Sequence, residues 1–361
     1  MTMTKVLKNI KVSQSNNKFL DETGLKWYGQ FMPCEALKTY VENFINLEFE
    51  SDIYGILKIL NWVSNQWSHD GENNGETYSS LEILKKAHEG ESFTCQAYGK
   101  VISEILKATG VISRKVFLKS LEGSNDLSNN SHDGLEVWSN QLKKWVFIDT
   151  QFSVYFKYED VFLNFNEIHH LIKNKTFSPE HIFLDETLLE GMAESVEVYK
   201  EEYYDFIINY MASISTFIVL NSKVQMLQLF LNSDHEILSF QDLTDKPFLS
   251  THKSSDFYVE LNQTAFTFSL KEALEFKDEE AYLEKNHASA AMPRLEIQCF
   301  HNMPRFSGFE VAMNDEDWHS FQGTAFDYIL REGLNTLSVR AINKEGVKGL
   351  TAFTQFVYGD A

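Results

Sequence analysis

The chain has 361 residues, more than one compact core usually organises, so two or three domains are expected. Hydrophobic residues make up 43% and charged residues 23%, the balance of a globular chain rather than a disordered or membrane-embedded one. A formal net charge of −20 argues against a phosphate backbone or an anionic membrane as the main partner, so neither nucleic acid nor membrane binding is expected.

Residues 1–30 show weak periodicity and are expected to wrap the surface. Met1 to Lys18 carries Lys5, Lys8 and Lys11 but no apolar core of signal-peptide length. No stretch reaches the roughly 18–20 uninterrupted apolar residues of a membrane span, and the expectation is a soluble, cytoplasmic chain. The three cysteines, Cys34, Cys95 and Cys299, are odd in number and widely spaced. They make a poor disulfide framework and suit a reducing compartment. Without a Cys-x-x-Cys pair a structural zinc site has no support, and neither metal nor cofactor is expected.

Leu37, Tyr40, Val41 and Phe44 recur at helical spacing, and so do Ile53, Ile56, Leu57, Leu60 and Val63; each set reads as the core-facing stripe of a helix. Ser79-Ser80-Leu81-Glu82 has the spacing of a capping box, opening a short helix through Leu84 to Ala87. Thr94 is placed to cap a helix beginning at Cys95, with Tyr98, Val101, Ile102, Ile105 and Leu106 as its buried stripe. Gly110 is placed to end that helix in a left-handed conformation. Val111 to Leu118 reads as a strand. Leu135 to Trp138 and Trp145 to Ile148 read as two more, joined by a turn at Ser139-Asn140-Gln141. Residues 159–173 and 186–212 look helical, the latter with Leu189, Val196, Tyr203 and Tyr210 in rough helical phase. After Phe217 short β runs take over. Phe257-Val259-Leu261 and Phe266-Phe268-Leu270 alternate across Asn262-Gln263 as a hairpin would. From Pro293 the alternation at Leu295, Ile297, Cys299, then Phe309, Val311, Met313, then Leu337, Val339, Ala341, and Phe353 to Tyr358, is punctuated at immunoglobulin-like intervals. The expected organisation is a domain over 1–215 that begins with helices, a β-rich intermediate domain over 216–290, and an immunoglobulin-like β-sandwich over 291–361. The fold class is α+β.

The chemistry is concentrated near Cys95. A thiol that attacks an amide must act as a thiolate, although a free cysteine has a pKa of about 8.5. A helix N-terminus, with its unpaired N–H groups and dipole, favours the negative sulfur. An imidazole must take and return the proton, and a carboxylate must hold that imidazole in the right tautomer. His132 precedes one strand of the expected 135–148 hairpin and Asp149 ends the other, so antiparallel pairing makes them neighbours.

Three blocks here resemble those of the transglutaminase-like superfamily. Phe93-Thr94-Cys95-Gln96-Ala97-Tyr98, the helix to Thr109-Gly110, and Val111-Ile112-Ser113-Arg114 are similar to its nucleophile block. His132-x-x-x-Glu136-Val137-Trp138 is similar to its histidine block, and Lys144-Trp145-Val146-Phe147-Ile148-Asp149 to its Trp-x-x-x-Asp block. The resemblance spans about residues 55–155. It implies a papain-like core, a Cys-bearing helix on an antiparallel sheet carrying His and Asp, with Cys95, His132 and Asp149 as the catalytic triad. The Cys95 backbone N–H is one oxyanion donor; Trp67 and, as the alternative, Gln66 are candidates for another. Phe93 stands where a small Gly is frequent in the family, and would narrow the channel. Asp133-Gly134 stand where an aromatic residue often follows the His. No calcium-site pattern is apparent.

The other noticeable residues read as structural: Arg114 as an ion pair, Glu136 as a supporting contact, His169-His170 as non-ligands whose side chains diverge on a helix, and Cys34 and Cys299 as inert. The expectation is a thiol enzyme acting on peptide or carboxamide C–N bonds of a protein or peptide through a thioester, hydrolytic rather than amine-transferring, since nothing suggests a tailored amine site. The alternatives are a non-catalytic protein- or carbohydrate-binding scaffold with a vestigial triad, and a deglycosylase similar to the peptide N-glycanases, which lacks here the zinc-type Cys pairs common in that group.

Overall fold

The structure, a computed structural model, describes residues 4–5, 9–18, 34–47, 52–70, 72–120, 131–184, 195–220, 223–233, 248–272, 275–276, 293–314 and 316–359. The fold is mixed, α+β. The chain divides into two compact units, Lys26–Glu260 and a second formed by Met1–Leu25 with Leu261–Ala361. Residues 216–260 fall within the first of these units and 261–290 within the second.

The chain opens with β1 (Thr4–Lys5) and β2 (Asn9–Ser15), both in the second unit. The Lys26–Glu260 unit then begins with α1 (Glu35–Glu42), α2 (Asp52–Ser64), α3 (Ser80–His88) and α4 (Cys95–Ala108). The Ser79–Glu82 capping box forms as expected, the Ser79 hydroxyl accepting from Glu82 N and the Glu82 carboxylate accepting from Ser79 N. Gly110 follows α4 with φ +80°, a left-handed conformation that only glycine adopts cheaply.

Strands β3 (Ser113–Lys119), β4 (Ser131–Ser139), β5 (Lys144–Asp149) and β6 (Val154–Tyr158) pair antiparallel in sequence order. Beyond them come β7 (Val161–Phe162), α5 (Phe165–Lys173), β8 (Ile182–Leu184), α6 (Val196–Ile207), a 3-10 turn at Ile208–Tyr210, β9 (Ser213–Leu220), β10 (Lys223–Phe230), β11 (Phe248–Thr251) and a helical turn at Ser254–Phe257. The sheet runs β11-β10-β9-β3-β4-β5-β6-β7, with β8 also on β6. From β4 onward its middle is covered on both faces. Leu135, Val137, Val146 and Ile148 share one core with the stripes of α1 to α4. Phe147 packs the other way, onto Phe156 and Phe165. Burial on both faces explains why β5 reads as a continuous apolar run, Trp145 to Ile148, instead of alternating.

Three expectations need correction. The helix expected over 159–173 starts only at Phe165, where Asn164 and Glu167 form a capping box; Val161–Phe162 before it is a strand. Helix is described over Val196–Ile207 rather than to residue 212, because the β-branched run from Ser213 favours a strand, with Ile214 and Ile218 buried; Leu189 lies outside the described residues. Phe257-Val259-Leu261 forms no hairpin strand. The alternation marks true burial, but the Phe257 and Val259 carbonyls go to the side chains of Arg114 and Trp145 instead of a neighbouring strand.

In the second unit, β12 (Thr264–Glu272), β13 (Glu275–Phe276), β14 (Arg294–His301), β15 (Phe306–Met313), β16 (His319–Phe321), β17 (Ala325–Ile329), β18 (Gly333–Asn343) and β19 (Ala352–Gly359) follow. A three-stranded sheet, β12-β14-β17, and a five-stranded sheet, β16-β15-β18-β19-β2, share one core that includes Phe266, Ile297, Val311, Val339 and Phe356. Residues 9–15, expected to wrap the surface, are instead the fifth strand, pairing antiparallel with β19. β1 pairs with β13. Among the described residues no helix is long and apolar enough to cross a membrane.

Candidate active site

Cys95 is the first residue of α4 and is partly exposed. Thr94 occupies the N-cap position with extended backbone, but its side chain makes no capping hydrogen bond. The first turn of α4 also holds no acidic residue. The positive end of the helix is thus left without a side-chain acceptor, next to the sulfur. The loop before α4 is pinned from behind, Asp70 N donating to Phe93 O at 3.0 Å and Thr94 N to Asn73 O at 2.8 Å. Phe93 is wholly buried with its ring against Trp67 and Tyr78, so it fills core beneath this loop.

His132 lies on β4 and Asp149 closes β5. Leu135 pairs with Ile148, so in the same register Asp149 comes opposite Gly134, one same-face step from His132. A side chain at 134 would meet the Phe147 ring at 2.5 Å, which explains a glycine between the two. The His132 Nε2 to Asp149 Oδ2 distance is 2.6 Å, with both side chains buried. With Nε2 engaged by Asp149, Nδ1 is the ring nitrogen left over, and Cys95 lies near enough to the imidazole to raise its pKa. Burial by itself lowers the affinity of His132 for a proton; the charge and hydrogen bond of Asp149, then Cys95, outweigh it, and the pKa is pushed up to about 10. The structure therefore brings residues 95, 132 and 149 together.

Asp149 is held by more than the histidine. Its Oδ1 accepts from the backbone N–H groups of Gln151 (3.1 Å) and Phe152 (3.3 Å), and its Oδ2 also accepts from the Tyr203 hydroxyl at 2.7 Å. Tyr203 belongs to α6, which brings an aromatic stripe to this group. The Tyr199 hydroxyl donates to Phe152 O at 3.2 Å, and the rings of Phe206 and Tyr210 lie 5.0 and 5.7 Å from that of His132. Burial, and then the proximity of Cys95 and Asp149, raise the pKa of Tyr210. Positions 199, 203, 206 and 210 are spaced as one helical face. That spacing was the available signal, but a stripe of this kind reads equally well as plain core. His69, exposed, lies alongside Phe93 through a backbone bridge; burial and then His132 lower its pKa.

Of the two proposed oxyanion side chains, Trp67 is buried, stacked on Tyr98 at 4.4 Å, and its indole N–H has no partner among the described residues. Tyr98 fixes the same residue by donating to Trp67 O at 2.7 Å. Gln66 directs its amide at the carbonyl of Trp62, one turn back, at 2.8 Å.

Arg114 and Glu136 form a buried ion pair between β3 and β4. Arg114 also donates to Phe257 O and lies between the Trp145 and Phe257 rings, while Glu136 accepts from Tyr258 and from Phe165 N. The pair ties elements together and takes no part in the Cys95–His132–Asp149 group. Cys299 is buried, which pushes its thiol up to about 12, and Cys34 is exposed. His169 is driven down to about 4 by burial, then by the neighbouring His170 and Lys173. Among the described residues no cluster of three or more His, Cys, Asp or Glu is placed to hold a metal ion.

Fold and site together define an α+β protein in which a thiol at a helix start lies near an imidazole paired with a carboxylate. No family model matches the chain, and no curated protein matches it. Among solved structures it is similar to a crystal structure of red sea bream transglutaminase, at 10% identity and a TM-score of 0.24, over 85% of this chain and 69% of that one. A likeness at so low a TM-score carries no argument about activity.

Proposed function

We propose that the protein is a transglutaminase-like thiol enzyme acting on peptide or carboxamide C–N bonds. The observation that carries this is the Cys95–His132–Asp149 group, with the sulfur at an uncapped helix start and the imidazole clamped by a buried carboxylate. A helix that bears the Cys, packed on antiparallel strands that bear His and Asp, also supports the papain-like reading of this unit. The two facing sheets of the second unit support an immunoglobulin-like one.

In the proposed reaction the Cys95 proton already sits on His132, as the raised pKa of that ring favours, and the thiolate attacks the carbonyl carbon. The tetrahedral oxyanion is held by the Cys95 backbone N–H and the indole N–H of Trp67, whose lack of a partner among the described residues suits that role. His132 then protonates the leaving amine and a thioester remains. Asp149 keeps the ring oriented and offsets the imidazolium charge. Water resolves the thioester in a hydrolase, an amine in a transferase. We favour water, because among the described residues no amine site accompanies the three side chains.

The test is product formation from a peptide-substrate library, a glycopeptide, and a glutamine peptide with dansyl-cadaverine as acceptor. Hydrolysis of peptide or carboxamide bonds that disappears in Cys95→Ala is expected. Turnover that survives Cys95→Ala would remove the thiol from the reaction.

A further inference from the structure

The triad accounts for three side chains but leaves unexplained why Asp149 Oδ2 has a second donor. Tyr203 is 3% exposed, and its ring is fixed among Phe152 at 5.2 Å, Phe206 at 5.8 Å and Phe156 at 6.1 Å. Its hydroxyl lies 2.7 Å from the same oxygen that His132 reaches at 2.6 Å. With Gln151 and Phe152 on Oδ1, four donors occupy the carboxylate, about as many as its lone-pair directions accommodate.

We propose that Tyr203 is a positioning residue: its hydroxyl shares Asp149 Oδ2 with the His132 ring, fixes the plane of the carboxylate, and weakens its grip on the imidazole proton. The last effect follows from simple competition. Electron density given to the phenol O–H is withdrawn from the imidazole N–H, so a carboxylate with two donors on one oxygen holds each less strongly. A general base must surrender its proton to the leaving group, and an imidazolium bound too firmly does so slowly. Burial, and then the charge of Asp149 beside it, raise the Tyr203 pKa, so the phenol stays neutral and a donor. The inference rests on the proposed triad, but its test does not depend on turnover.

The titratable groups around the His132 ring are Cys95 from α4, His69 from the loop before it, Asp149 from β5, Tyr203 from α6, and Tyr210 from the turn after α6. The adjacent Asp133 alternates to the other side of β4 and pairs with Lys115. The experiment is titration of the His132 ring by nitrogen-15 NMR in the full chain, in the wild type, Tyr203→Phe, Asp149→Asn and the double variant. Tyr203→Phe is expected to raise the midpoint by about half a pH unit or more, roughly a threefold tighter hold on the proton. The same change is expected to do nothing in the Asp149→Asn background. Should Tyr203→Phe fail to fold, 3-fluorotyrosine at 203, a stronger donor of the same shape, is expected to lower the midpoint. An unchanged midpoint, a shift of opposite sign, or a shift that persists without the Asp149 carboxylate would overturn the proposal. If the thiol proves inert while these shifts appear, the enzymatic reading fails and the Tyr203 assignment stands.

Discussion

Cys95, His132 and Asp149 could be picked from the sequence because each sits in a local block whose aromatic and turn neighbours are distinctive. The Tyr203 hydroxyl could not, since its partner lies 54 residues away and nothing near it in sequence marks an aromatic as polar in purpose. In sequence Trp67 is the candidate and Gln66 the alternative; the structure separates them further, since Gln66 bonds its own helix turn while the indole has no acceptor among the described residues. The His132–Asp149 pair has a consequence for stability. The folded pKa of about 10 lies above the 6.5 of an unconstrained ring. The imidazolium's contribution is therefore complete below the unfolded value and is lost as pH rises through the folded one. Urea denaturation of the wild type and His132→Gln should show the widest stability gap near pH 6, narrowing steadily towards pH 10. A gap that widens with pH would mean that the ring is held neutral.

At the level of elements, helices and hairpin were legible wherever period and capping agreed, as at Ser79–Glu82 and across the 135–148 pair. The reading failed where side chains replaced backbone partners. Residues 257–261 alternate like a strand, yet two of their carbonyls serve Arg114 and Trp145. Arg114 thus joins β3 and β4 to a segment more than 140 residues further along. Arg114→Met leaves Glu136 buried without its counter-charge and should cost about 3–5 kcal/mol in urea denaturation. Replacing Glu136 by Leu as well should recover only part of that loss, because the Tyr258 hydroxyl and Phe165 N–H would then lack their acceptor. A single Arg114→Met variant as stable as the wild type would show that the pair is not what joins these elements.

On the scale of the whole molecule, the α+β class was legible from the order of helical and alternating patterns. The role of the first residues was not, because β2 is a sheet-edge strand with polar Asn9, Ser13, Gln14 and Ser15 and little apolar pattern to read. Its place is set by backbone pairing with β19, at the far end of the chain. Removing residues 1–18 should expose the β19 edge: amides of Thr354 to Tyr358 are expected to lose hydrogen-exchange protection, and unchanged protection would contradict the pairing. The central claim concerns the sulfur, and iodoacetamide labelling at pH 6 and pH 7.5, followed cysteine by cysteine, tests it most directly. Cys95 should react at least about tenfold faster than the exposed Cys34 at both values, while Cys299 stays protected and the advantage vanishes in His132→Ala. Labelling of Cys95 no faster than Cys34, or a rate indifferent to His132→Ala, would contradict an activated thiol.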